Sequence, residues 1–159
     1  MAKYASETMV SVERSKAEIE STLTRYGATQ FMSGWDHNRA MIGFKIDDRN
    51  VRFVLPLPDK ADDVFWFTPH RKNRRTEADA YREWEQACRQ RWRALCLCIK
   101  AKLEAVDAGI TTFEDEFMAH LVLPDGRSVS QWMHPQLEEM DRTGAMPQPI
   151  LALPPGEAA

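Results

Sequence analysis

The fold is decided by residues 76–109, which read TEADAYREWEQACRQRWRALCLCIKAKLEAVDAG. Alanine, glutamate, arginine, lysine and leucine dominate the stretch, and no proline or glycine interrupts it before Gly109. Apolar residues recur in it at helical spacing: Trp84, Cys88, Trp92, Leu95, Ile99, Leu103 and Val106. Thr76 and Asp79 have the spacing of a capping box, and glycine is a typical helix stop. The sequence therefore predicts one long helix that ends at about Ala108.

A small antiparallel sheet is predicted upstream of this helix. Residues 31–35, 42–46 and 51–57 alternate apolar and polar side chains, as half-buried strands do. Residues 35–39 and 47–50 are rich in turn formers, so consecutive strands should pair as hairpins. Proline has no N–H to donate to a neighbouring strand, so Pro56 and Pro58 should end the sheet.

The N-terminal segment predicts a further strand and a first helix. Residues 8–12 alternate and indicate a short strand. Ser15 with Glu18 has capping-box spacing, which predicts that a helix opens at Ser15 and stops at Gly27.

Two more helices are predicted toward the C-terminus. One begins at Thr111 or Thr112 and runs through Leu121, and a turn follows at residues 124–126. The last runs from about Ser128 to Arg142, with inward residues Val129, Trp132, Met133 and Leu137. The expected fold is α+β: a small antiparallel sheet of three to four strands covered by helices, with one long central helix and a helical C-terminal part. Residues 1–145 should form a single domain, and residues 146–159 a tail rich in proline and alanine.

Composition favours a soluble cytoplasmic protein without a membrane partner. Of the 159 residues, 43% are hydrophobic, which suffices for a core, yet no apolar run approaches the roughly 20 residues that span a bilayer. The N-terminus lacks the apolar stretch of a secretory signal. Cys88, Cys96 and Cys98 all fall in the long helix, where two or three of them are expected as buried or half-buried thiols rather than as disulfides or zinc ligands. No cofactor is expected.

Charge is strongly asymmetric along the chain. The net charge of −3 combines +6 over residues 71–102 (ten basic, four acidic) with −8 over residues 104–141 (one basic, nine acidic). Within the basic part, Arg82, Arg89, Arg93 and Lys100 follow one helix face beside the basic run of residues 70–75. Arginine suits bidentate phosphate contacts, and loop aromatics can stack on unpaired bases. The candidate nucleic-acid-binding residues are Arg71, Lys72, Arg74, Arg75, Arg82, Arg89, Arg93 and Trp66.

Three functions are compatible with these features. The first is a non-enzymatic accessory protein that binds nucleic acid, DNA being expected ahead of RNA. Its structural alternative is that the arginines pair with the acidic helices behind them or form a solvated face. The second is an inhibitor that binds a host or defence enzyme through the acidic helices or through the aromatic patch of residues 65–67. The third is a metal-dependent hydrolase with weak candidate ligands Glu114, Glu116 and His120, whose acids are equally suited to a helix N-terminus.

No catalytic signature is present, since GxSxG, HExxH, P-loop and GxGxxG patterns are all missing from the sequence. A homodimer through the long helix, packed through Trp84, Trp92 and Leu95, is left open.

Two resemblances add context. Residues 85–95, 108–114 and 123–127 resemble a family of small proteins from tailed phages, prophages and bacterial mobile elements, and the likeness runs from Ser11 to about Gly144. That family has no established activity, so the resemblance implies only a setting: a protein that handles nucleic acid or blocks a host system. The order helix, three strands, helix is also similar to that of double-stranded-RNA-binding domains, in order alone.

Overall fold

A computed structural model describes Ala5, residues 7–70 and residues 72–145. The chain has the predicted α+β architecture, with a three-stranded antiparallel sheet and five α-helices in the described part. The predicted tail of residues 146–159 and the candidate Arg71 lie outside the described residues. No helix within the described ranges is long and apolar enough to cross a membrane.

The sheet is a meander of three strands joined by two hairpin turns. The strands β1 (Ala28–Asp36), β2 (Arg39–Ile46) and β3 (Arg49–Pro56) are adjacent in that order. Both connections have two residues, and Asp47 in the second adopts a positive φ of 49°, a conformation that aspartate tolerates in tight turns. Both predicted hairpins and the end of the sheet at Pro56 are confirmed.

Two helices cover one face of the sheet. They are α1 (Val12–Arg25) and the long α3 (Glu77–Asp107), whose predicted cap, Thr76, accepts a hydrogen bond from the backbone N–H of Asp79. The core between these layers contains six sheet side chains, Ala40, Ile42, Phe44, Ile46, Val51 and Phe53. On the opposite face of the sheet, Met32, Met41 and Val54 remain exposed.

The predictions for the N-terminal segment are wrong in two respects. No strand forms over residues 8–12, and α1 begins at Val12 rather than at Ser15. The reason is that Ser11 supplies the cap, because its Oγ accepts the backbone N–H of Arg14. Ser15 therefore lies inside the helix with its side chain buried.

The remaining helices are short or lightly packed. The loop after the sheet contains α2 (Asp63–Trp66), and α4 (Phe113–Phe117) tightens into a 3-10 turn over Met118–His120 instead of continuing to Leu121. The last helix, α5 (Val129–Thr143), buries no side chain completely. Trp132 and Leu137 were expected inward but are 40% and 47% exposed, because α1 and α3 already cover the helix-bearing face of the sheet.

The three residues considered for a homodimer through the long helix are engaged within this chain. Trp92 and Leu95 lie in the core, and the indole of Trp84 donates a hydrogen bond to the Pro58 carbonyl of the same chain. Two of the three predicted contact residues are thus used to fold the monomer.

Candidate nucleic-acid interface

The basic face of α3 is occupied largely by contacts within the fold. Arg93 donates to Oε2 of Glu18 at 2.6 Å, and Lys100 donates to Oε1 of the same carboxylate at 2.5 Å. These two hydrogen bonds hold the pKa of Glu18 below its usual value, and the one from Lys100 has the larger effect. Arg93 and Lys100 therefore join α3 to α1, and Arg93, with 21% of its side chain exposed, is poorly placed for a phosphate.

Arg89 is also engaged inside α3. Its guanidinium lies 3.3 Å from the carboxylate of Glu85 and donates to Oε1 of Gln86 at 2.9 Å. Arg89 and Arg93 are thus paired inside the fold, but not with the acidic helices that the structural alternative named. Their partners lie in α3 and α1, whereas the acidic C-terminal half is reached by Lys102, which binds Glu116 at 2.9 Å.

Arg75 organises the loop from within. Its Nη1 donates to the backbone carbonyls of Val64, Phe65 and Phe67 at 3.0, 3.2 and 2.9 Å. These carbonyls lie at the C-terminal end of α2, where a cation is favoured by the helix dipole. We therefore assign Arg75 to loop structure rather than to ligand contact.

The loop after α2 closes on itself and presents Lys72. Thr68 and Asn73 bond across it, with the Thr68 N–H donating to the Asn73 carbonyl at 2.9 Å. Lys72 has a positive φ of 48°, and its exposed side chain makes no hydrogen bond or ion pair with any described residue. Lys72 is thus available to a ligand.

Two aromatic rings and three cations form one surface at the start of α3. The guanidinium of Arg74 lies 5.7 Å from the centroid of the Trp66 ring, and the Trp66 indole donates to the carbonyl of Lys60 at 3.1 Å. The ammonium of Lys60 lies 4.6 Å from the Tyr81 ring centroid, and Lys60, Tyr81 and Arg82 line the same shallow depression. We call this set, Lys60, Trp66, Arg74, Tyr81 and Arg82, the aromatic–basic row.

The aromatic–basic row unites three predicted site residues with two that sequence reasoning missed. Trp66, Arg74 and Arg82 were candidates, whereas Lys60 and Tyr81 were not. No local spacing connects Lys60 to Tyr81, because the chain between them folds back through α2 and the loop. Only their contact across that fold identifies them.

Carboxylates stand beside the row and limit its positive charge. Arg82 forms an exposed ion pair with Asp79, which also accepts the Thr76 hydroxyl at 2.8 Å. The hydrogen bond from Thr76 lowers the pKa of Asp79 the most, and the one from Arg82 lowers it further. A phosphate that reaches Arg82 must therefore compete with an ionised carboxylate.

The proposed metal ligands are not brought together. Glu114 lies 3.5 Å from Arg49, Glu116 binds Lys102, and His120 stacks on Phe53 with ring centroids 3.9 Å apart. Burial of the imidazole lowers the pKa of His120, and the positive charge of Lys102 lowers it further, so the imidazole is neutral near pH 7. Among the described residues, no group of three or more His, Cys, Asp or Glu side chains has the geometry of a metal site.

The aromatic patch of residues 65–67 is divided between core and surface. Phe65 is buried, Trp66 is half-buried and Phe67 is 38% exposed. The three side chains therefore do not form the continuous exposed patch that the inhibitor hypothesis used.

No protein-family model matches the chain, and neither the curated proteins nor the solved structures give a significant match. The resemblance to phage and mobile-element proteins accordingly stays a prediction.

Proposed function

We propose that this chain is a non-enzymatic accessory protein of a phage or mobile element that binds nucleic acid through the aromatic–basic row and Lys72. The observation that carries the proposal is the contact of Arg74 with Trp66 and of Lys60 with Tyr81, which sets accessible rings beside cations on one surface. Single-stranded nucleic acid is bound by this combination, since bases stack on the rings while cations hold the backbone.

The proposed interface is smaller than the sequence predicts. Arg75, Arg89 and Arg93 leave the ligand-binding set because their guanidinium groups are engaged in the fold. The cations that remain in the proposed interface, all of them exposed, are Lys60, Lys72, Arg74 and Arg82. Four phosphate contacts on a single strand correspond to a slope of about −3 in a plot of log affinity against log salt.

The first experiment is fluorescence anisotropy with labelled single-stranded and double-stranded DNA and RNA at several salt concentrations. We expect single-stranded DNA to bind best, with the shallow slope given above. The variant Lys72→Ala/Arg74→Ala/Arg82→Ala should lose most of this affinity. Its matched control, Arg14→Ala/Arg127→Ala/Arg142→Ala, removes the same charge from exposed positions outside the row. If both variants weakened nucleic-acid binding equally, net charge alone would explain the loss, and the proposed site would be refuted.

Stacking is tested separately at Tyr81, whose ring is 43% exposed. Tyr81→Ala should weaken binding by about tenfold or more, in line with one base–ring contact, whereas Tyr81→Phe keeps the ring and should bind like the unmodified protein. Loss of binding in both variants would assign the effect to the hydroxyl or to misfolding, which a thermal melt distinguishes.

A second candidate, a protein-binding inhibitor, is favoured by the surface of α5. This helix combines the exposed apolar Trp132 and Leu137 with exposed Glu138, Glu139 and Asp141. Such a mixed surface suits a basic partner with an apolar patch. Affinity capture from a host lysate should recover a specific partner that is lost with Trp132→Ala/Leu137→Ala. Recovery of the same proteins with both baits would argue against it.

A further inference from the structure

The outer edge of β1 is the longest open strand edge in the described part of the molecule. β1 has nine residues and pairs with β2 on one side only. No backbone hydrogen bond from another described segment reaches residues 28–36. The opposite edge of the sheet differs, because Leu121 forms a bridge with Val51 and the N–H of Val122 donates to the Asn50 carbonyl at 2.8 Å.

The β1 edge lacks the features that normally prevent strand addition. Residues 28–35 contain no charged residue and no proline, and the one irregularity in pairing falls at the start, between Ala28 and Gln30. Met32 and Trp35 add apolar surface, with 63% and 77% exposed. Natural proteins usually block a long edge with lysine, proline or a central bulge, because unpaired N–H and C=O groups recruit another strand.

We propose that the β1 edge pairs antiparallel with the β1 edge of a second copy of this chain. The two sheets would then join into one of six strands, three from each copy. A two-fold axis makes both strands contribute identical surfaces, so each unpaired backbone group meets a complementary one.

The distribution of charge along β1 is the reason to propose a second copy of this chain as the partner of this edge. Because residues 28–35 are uncharged, the strand can oppose itself without repulsion between like side chains. Antiparallel pairing also brings the end of one strand, which carries Asp36, to the start of the other, which follows Arg25, so the charges at the two ends have opposite sign. Both residues are exposed.

Sedimentation velocity over a wide range of protein concentrations tests this pairing. We expect a reversible dimer, and Met32→Lys/Trp35→Lys should raise its dissociation constant at least about tenfold by adding like charges to a symmetric edge. Val54→Lys is the matched control, since it puts a lysine on the exposed sheet face in β3, away from this edge. The control should dimerise like the unmodified protein.

Hydrogen exchange on the unmodified protein supplies a readout that does not depend on variants folding. Amides of β1 should gain protection as concentration rises, whereas those of α5 should not. A chain that stays monomeric at every concentration overturns the proposal. So does a dimer that survives Met32→Lys/Trp35→Lys in a folded protein, or one that Val54→Lys disrupts equally, which would place the contact on the sheet face.

Discussion

Glu18 shows how a single residue determines which cations remain available at the surface. Its carboxylate binds Arg93 and Lys100, which lie 75 and 82 residues away in sequence. The side chain is 29% exposed, so the pair of contacts is partly shielded from water. One acid in α1 thus engages two cations of the basic helix face, Arg93 and Lys100, that would otherwise be available to a ligand.

Replacing Glu18 with Gln should lower stability in a pH-dependent way. The pKa of Glu18 is depressed in the fold from its usual 4.5, so its contribution is present above that value and is lost as pH falls through the depressed pKa. We expect Glu18→Gln to cost about 1 kcal/mol of unfolding free energy near pH 7. Urea titrations at pH 7 and pH 3 measure the cost, which should be smaller at the lower pH.

The control for this prediction is Glu20→Gln, an exposed carboxylate of the same helix. Its cost should be smaller at neutral pH, because no ion pair involves Glu20 among the described residues. A cost for Glu18→Gln that is the same at both pH values would show that the carboxylate charge contributes nothing.

The cysteines confirm the prediction that two or three of them are buried or half-buried thiols. Cys88 and Cys96 are buried free thiols, and burial raises the pKa of Cys88 to about 11 and that of Cys96 in the same direction. Cys98 is exposed, because a residue two positions after Cys96 points to another side of the helix.

Among the secondary-structure elements, α5 is the least attached. Its start is held by Arg52, which donates to the Gly126 carbonyl at 2.8 Å and to Gln131 at 3.1 Å, and by contacts with the 3-10 turn. Ser128 caps the helix with a complete capping box. Because little packing supports α5, its cap should contribute a large share of its local stability.

Ser128→Ala should therefore destabilise α5 locally by about 1 kcal/mol. Hydrogen exchange within residues 129–143 should accelerate, whereas amides of β2 and β3 should keep their protection. Glu138→Ala, at an exposed position of the same helix away from the cap, serves as the control. Uniform acceleration across the whole chain would mean that α5 unfolds only together with the core.

At the scale of the whole molecule, Phe117 closes the core from the C-terminal half. Its side chain is completely buried and makes edge contacts with Phe44 and Phe53, at centroid distances of 5.9 and 6.2 Å. The residues that follow continue to β3, where Leu121 pairs with Val51. The acidic half is thus part of the same packed unit as the sheet.

Phe117→Ala should cost about 3–5 kcal/mol of unfolding free energy, the usual range for a large aromatic residue removed from a core. Since small domains have only about 5–15 kcal/mol in total, the variant should melt at a much lower temperature. Chemical denaturation gives the value, and Ile110→Ala, at a position 80% exposed, should change it little. If Phe117→Ala changed the unfolding free energy no more than Ile110→Ala does, Phe117 would not belong to the core that stabilises the fold.

Local sequence patterns were enough to predict the three strands of the sheet, both hairpins, the long helix and its cap at Thr76. These features depend on side-chain periodicity and on hydrogen bonds between residues a few positions apart, which a linear reading detects. The local pattern nevertheless predicted the wrong start for α1, because both Ser11 and Ser15 are suitable caps and only the folded backbone shows that Ser11 is the one used.

Only the tertiary structure decided which charges remain free and which rings lie beside them. Arg93 is neutralised by Glu18, and Lys60 meets Tyr81, through contacts that packing creates between distant segments. The charge count along residues 71–102 records how many cations exist but not where their partners lie. Ion pairing and ring contacts act over a few ångströms in space, so the candidate site could be located only once the chain was folded.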